Sequence, residues 1–207
     1  MIAHRARSAP LSARRRYSAP MHQTLRRFLA PALLALAPLA APALELAGSK
    51  TLTLHSRDGR ATAIGTVRFE PRGDGSAAFS IDLDHAVMRD HFLSMREFKC
   101  ADGDGEITCH VRYPYPQPGV VRAGDYAWLE HSLLFLYKQP RDFGAKLRNG
   151  LYFRLEAGGR GLVGTPQAVD LTVIGVPPDD LAVPPYKPAL RDDIAPGSRW
   201  VTRLTID

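Results

Sequence analysis

Cys100 and Cys109 are the only cysteines in the chain, and they flank Ala-Asp-Gly-Asp-Gly-Glu-Ile-Thr. If Asp104-Gly105 forms the two-residue type I′ turn that Asp-Gly favours, the cross-strand pairs run 103:106, 102:107, 101:108 and 100:109. The cysteines then face each other at a non-hydrogen-bonded position, where Cα atoms lie ~4.5 Å apart and a disulfide fits. The rival turn at Asp102-Gly103 does not pair them. Metal-ligand or redox thiols are the competing use, but the spacing is not C-x-x-C and no second Cys/His pair sits at zinc-finger distance. Continuing the register places Phe98 opposite Val111 and Arg96 opposite Tyr113 on the cysteine face. Glu97 then faces Arg112, and Lys99 faces His110, on the other.

A structural disulfide belongs in an oxidising compartment, and the amino-terminal region agrees. Residues 21–43 read MHQTLRRFLAPALLALAPLAAPA: Arg26 and Arg27, an apolar run from Phe28, then Ala41-Pro42-Ala43 in the A-x-A pattern of a cleavage site. This is a signal-peptide pattern, and the mature chain is expected to start at Leu44. The run from Phe28 to Ala43 contains Pro31, Pro38 and Pro42 and is shorter than the ~20 residues of a bilayer-spanning helix, so no transmembrane span is expected in the mature chain. Residues 1–20 are Arg-, Ser- and Ala-rich without periodicity. They read as a non-native extension from a misassigned start, with Met21 as the better initiator.

Net charge then changes meaning. The full chain carries 27 Lys+Arg against 21 Asp+Glu, but residues 1–43 hold seven arginines and no acid. The remaining 20 basic and 21 acidic residues are nearly balanced. Nucleic-acid binding by the mature chain loses its compositional support.

Period-two alternation dominates the rest. A two-residue turn at Asp58-Gly59 opposes Leu54 to Ala63 and Leu52 to Gly65, and aligns Leu52, Leu54, Val67 and Phe69 on one face. The next strand must keep Phe79, Ile81 and Leu83 beside Phe69, which requires an odd loop around Asp74-Gly75. A Gly158-Gly159 turn opposes Leu155 to Leu162, with Leu151 and Phe153 on the same face. The later switch to Val169, Leu171 and Val173 asks for a bulge or bend at Pro166. Asp125 can cap a helix over Tyr126 to Lys138, although Leu133 to Tyr137 also suits a buried strand.

Val176 to Pro196 holds six prolines and reads as extended surface chain, while Trp200, Leu204 and Ile206 alternate as a last strand. The expected organisation is an antiparallel β-domain over 44–175 with a Pro-rich carboxy-terminal segment over 176–207. The fold class is mainly β, a lipocalin-like barrel or a sandwich with one helix.

Asp90 to Cys100 (DHFLSMREFKC), Cys109 to Pro118 (CHVRYPYPQP) and Leu129 to Pro140 (LEHSLLFLYKQP) resemble stretches of a group of exported, uncharacterised proteobacterial proteins. The resemblance spans most of the mature chain. It implies a periplasmic or secreted address in a Gram-negative envelope, and it implies no activity.

Among possible sites, Arg96 is the most informative. A guanidinium on an apolar face suits a ligand carboxylate or phosphate at a barrel mouth, with Tyr113 beside it. The competing reading sets Arg96 at a strand end, in water or paired with Asp90. His85, Asp90 and His91 are the densest collection of metal ligands, but their spacing matches no familiar zinc pattern. Glu130 and His131 diverge by about 100° on a helix and do not form one site. Tyr113 to Pro118 alternates tyrosine and proline as an extended strip, suited to joining elements rigidly or to docking a partner.

There is no G-x-S-x-G, P-loop, dinucleotide or haem motif, and no cofactor is expected. The expectation is a non-enzymatic binder of a small amphipathic ligand or an envelope partner. The alternative is an envelope enzyme or metal-binding protein using His85, Asp90 and His91.

Overall fold

The computed structural model describes residues 45–93 and 96–207, so the readings made on residues 1–43 lie outside the described residues. The disulfide hairpin follows its expected register. Strand β5 (Arg96–Asp102) meets β6 (Ile107–Val111) through Cys100↔Cys109, Ala101↔Thr108 and Asp102↔Ile107. The Gly103 N–H bonds to the Glu106 carbonyl at 2.9 Å, Gly105 takes φ +70°, and Cys100 and Cys109 are joined with Cα atoms 3.9 Å apart.

The hairpin tip is also held from below. Glu106 accepts the Trp200 N–H at 3.2 Å and pairs with Arg199 at 3.2 Å. A Cβ on Gly103 would come within 2.1 Å of the Trp200 ring, so only glycine allows this approach. Cys100→Ala/Cys109→Ala is expected to lower stability by about 2 kcal/mol in urea unfolding, because the closed loop is short. A loss below about 0.5 kcal/mol would show that Trp200 and Glu106 hold the hairpin without help from the cross-link.

The other strands are β1 (Gly48–Ser56), β2 (Ala61–Pro71), β3 (Ser76–Leu83), β4 (Arg89–Leu93), β7 (Val120–Arg122), β8 (Leu134–Lys138), β9 (Gly150–Gly158), β10 (Gly161–Val169), β11 (Asp192–Asp193) and β12 (Val201–Ile206). Helix α1 spans Ala127–Ser132. Every pairing is antiparallel, in the order β4-β5-β6-β8-β9-β10-β12-β1-β2-β3-β7, with β11 added beside β10. The path is open, ending on β4 and β7, so the expected closed barrel gives way to an open antiparallel sheet. Among the described residues no helix is long and apolar enough to cross a membrane.

Several local expectations change, each for a backbone reason. The β1–β2 loop has three residues, Arg57, Asp58 and Gly59, with the Ser56 N–H bonded to the Arg60 carbonyl at 2.9 Å and Gly59 at φ +81°. Leu54 therefore opposes Thr62, and a bulge between Thr53↔Ala63 and Leu52↔Gly65 restores the expected register. Ile64 is the extra residue, and it turns inward to complete burial. The β2–β3 loop is odd, as the parity of Phe79 requires, with Pro71↔Ala77 and Phe69↔Phe79 paired. In the β9–β10 hairpin the turn is Gly159-Arg160, since Gly158 pairs with Gly161. Leu155 now meets Gly164, two residues from the expected partner, which leaves every side chain on its expected face.

Pro166 introduces no bulge: β10 pairs with β9 without interruption from Gly161 to Val169. The parity switch has another cause. Leu162 packs with Leu151, Phe153, Phe135 and Leu204 in one core, whereas Val169 packs with Leu134, Leu136, Tyr152 and the disulfide in a second. The sheet is apolar on both faces around β8 and β9, so alternate residues serve different cores. The long helix expected over Tyr126 to Lys138 divides for the same reason. One short helix precedes Leu133, and Leu134 to Lys138 forms a strand with both faces covered.

Candidate functional site

Where β5 and β6 splay apart beyond the disulfide, an apolar cleft opens. The β5–β6 ladder covers only residues 100–102 and 107–109, so the expected Arg96:Tyr113 pairing is absent and Arg96 instead opposes Leu93 of β4. Arg96 is exposed and lines a cleft of about 390 Å³ with Arg112, whose walls are Leu93, Phe98, Val111, Leu171 and Ile174. Neither arginine makes an ion pair or side-chain hydrogen bond with another described residue. Asp90, the acid weighed for Arg96, is bound to Lys99. Two unneutralised guanidiniums above apolar walls form a site complementary to an anion carrying a hydrocarbon tail.

Tyr113 belongs to a neighbouring groove of about 580 Å³, bounded by Phe79, Ile81 and Leu83 of β3 and by His110, Arg112, Tyr115, Gln117 and Ser132. The Tyr113 ring is buried, edge-on to Tyr115 at 5.7 Å and to His131 at 6.0 Å. Its hydroxyl has no hydrogen-bond partner among the described residues, and neither has Gln117 Oε1. Burial, with the neighbouring Tyr115 hydroxyl adding to it, raises the Tyr113 pKa and keeps the phenol protonated. Gln117 Nε2 donates to Ser132 Oγ at 2.6 Å, and Ser132 Oγ donates to the Trp128 carbonyl at 2.8 Å. His110, pointing away from the disulfide, bonds the Ser132 carbonyl through Nε2 at 2.9 Å.

Glu130 and His131 are buried and carry the densest polar network. Their partners diverge, as the helix dictates, but Tyr152 touches both. Glu130 Oε1 accepts the Leu155 N–H at 2.6 Å, and Oε2 accepts the Tyr152 hydroxyl. Strand β8 pairs with β9 only at Gly150 and Leu151, so Glu130 covers a β9 donor that β8 leaves open. Burial raises the Glu130 pKa against the lowering effect of these two hydrogen bonds.

His131 bonds the Ala127 carbonyl through Nδ1 at 2.7 Å and receives the Tyr186 N–H on Nε2 at 3.0 Å. A carbonyl only accepts and an amide N–H only donates, so the ring is neutral with its proton on Nδ1. Burial pushes the His131 pKa down to about 4. The ring stacks on Tyr186 and meets Tyr152 edge-on at 5.3 Å. These hydrogen bonds tie α1, β9 and the Pro-rich segment together.

The histidine–carboxylate segment does not converge. Asp90 and His91 are consecutive on β4 and point to opposite faces. His91 Nε2 lies 3.3 Å from Asp102, and His85 sits exposed in the turn before β4. Among the described residues no three His, Cys, Asp or Glu side chains are placed to hold a metal ion. Sequence reasoning identified Arg96 but placed Arg112 on a polar face opposite Glu97. Fraying of the β5–β6 ladder beyond the disulfide had no local signal. No family model, no curated protein and no solved structure matches the chain.

Proposed function

We propose that this chain is an exported, non-enzymatic binding protein of the Gram-negative envelope that takes a small anionic amphipath at Arg96 and Arg112. The observation that carries this reading is the pair of arginines, unneutralised among the described residues, on the rim of an apolar-walled cleft. A carboxylate or phosphate would accept bidentate hydrogen bonds from the guanidiniums while its hydrocarbon lies along Phe98, Val111 and Ile174. The use is lipocalin-like, an antiparallel sheet offering an apolar recess, without closure of the sheet. The signal-peptide pattern, the resemblance to exported proteobacterial proteins and the disulfide support the envelope address.

Calorimetric titration with dodecanoate and dodecyl phosphate tests the reading. Wild type is expected to bind both one to one. Arg96→Ala and Arg112→Ala should each weaken binding about ten-fold or more, as loss of a hydrogen bond to a charged group entails. Equal binding of dodecanol, or affinities unchanged in both variants, would refute an anion site.

A further inference from the structure

Among the described residues, Arg112 is the one side chain common to the two clefts. Between them runs Tyr113-Pro114-Tyr115: both tyrosines line the larger groove and Pro114 lines the smaller. This strip is a fixed partition. The Tyr115 hydroxyl donates to the Ile174 carbonyl at 3.2 Å, Gln117 is tied to Ser132, and the Tyr113 ring lies against Trp128 and His131. Prolines at 114 and 116 stiffen the backbone further. The larger groove carries its own apolar wall, Phe79, Ile81 and Leu83, which a single-chain amphipath seated beside Phe98 and Ile174 would leave uncovered.

We propose that the ligand is a two-chain anionic lipid whose head group sits at Arg112 and Arg96 and whose chains divide around the Tyr113-Pro114-Tyr115 strip, one into each cleft. This inference rests on the anion site proposed above and specifies its ligand. A cationic centre lies between the smaller, apolar-walled cleft and the larger groove, whose apolar wall of Phe79, Ile81 and Leu83 faces polar His110, Gln117 and Ser132, and this arrangement suits one phosphate joined to two hydrocarbon chains.

Short-chain lipids below their micellar concentration provide the test, by calorimetry with native mass spectrometry for stoichiometry. Dioctanoyl phosphatidic acid is expected to bind one to one and at least about ten-fold tighter than octanoyl lysophosphatidic acid, because the second chain is also removed from water. Ile81→Trp, which fills the larger groove, should bring the two-chain lipid down to the one-chain affinity and leave the one-chain lipid unchanged. Leu83→Trp serves the same purpose if Ile81→Trp does not fold. Equal affinities of the two lipids for wild type overturn the two-chain inference, and the anion site then stands on its Arg96 and Arg112 dependence. Failure of both lipids, dodecanoate and dodecyl phosphate to bind removes the anion site itself.

Discussion

Glu130→Ala is expected to lower unfolding free energy by about 3–5 kcal/mol, the combined cost of stranding two buried donors and leaving a void. The donors are the Leu155 N–H and the Tyr152 hydroxyl, both of which now end on the Glu130 carboxylate. In a chain of this size such a loss corresponds to a fall of about 10 °C or more in melting temperature. Glu130→Gln retains an acceptor for Leu155, and the Tyr152 hydroxyl can turn to accept from the amide, so its loss should stay near about 1 kcal/mol. Urea titrations followed by circular dichroism compare the two. An alanine variant within about 1 kcal/mol of wild type would show that the β9 edge needs no side-chain cover.

Acid should weaken the fold through His131. Its pKa is about 4 in the folded chain against 6.5 for an unperturbed histidine. Between those values the unfolded chain binds a proton that the folded chain refuses, so stability falls as pH drops from 6.5 through 4. The loss from this group reaches about 3 kcal/mol below pH 4. Glu130 opposes it: a carboxyl whose pKa rises on folding binds its proton more readily in the native state, and its contribution fades as pH rises. His131→Gln keeps one donor and one acceptor but removes the titration. Denaturation curves at pH 7, 5.5 and 4.5 should therefore be flatter with pH in the variant than in wild type. Identical slopes would place the acid sensitivity elsewhere.

These two residues also mark where sequence reading stopped. Short-range geometry was legible: the Cys100–Cys109 register, the odd loop before Phe79 and the inward faces of Leu52, Leu54, Val67 and Phe69 all follow from side-chain period and turn length. Errors of turn length at Asp58-Gly59 and Gly158-Gly159 left the faces intact, one through the bulge at Ile64 and the other because the register moved by two. The second core was not legible, because a strand apolar on both faces resembles a helix segment at Leu133 to Tyr137 and a misplaced bulge at Pro166. Arg96 drew attention as a charge among apolar neighbours. Arg112 did not, since its approach to the cleft depends on where the β5–β6 ladder ends.

Strand β12 lies between β10 and β1, and among the described residues it is the link joining the two halves of the sheet. It is also the last of the described strands in chain order. A chain delivered amino end first therefore has the other described strands in hand before the joining one arrives, and its two halves wait with open edges. Such timing makes the interval before residues 201–206 emerge the period in which a chaperone that shields strand edges matters most.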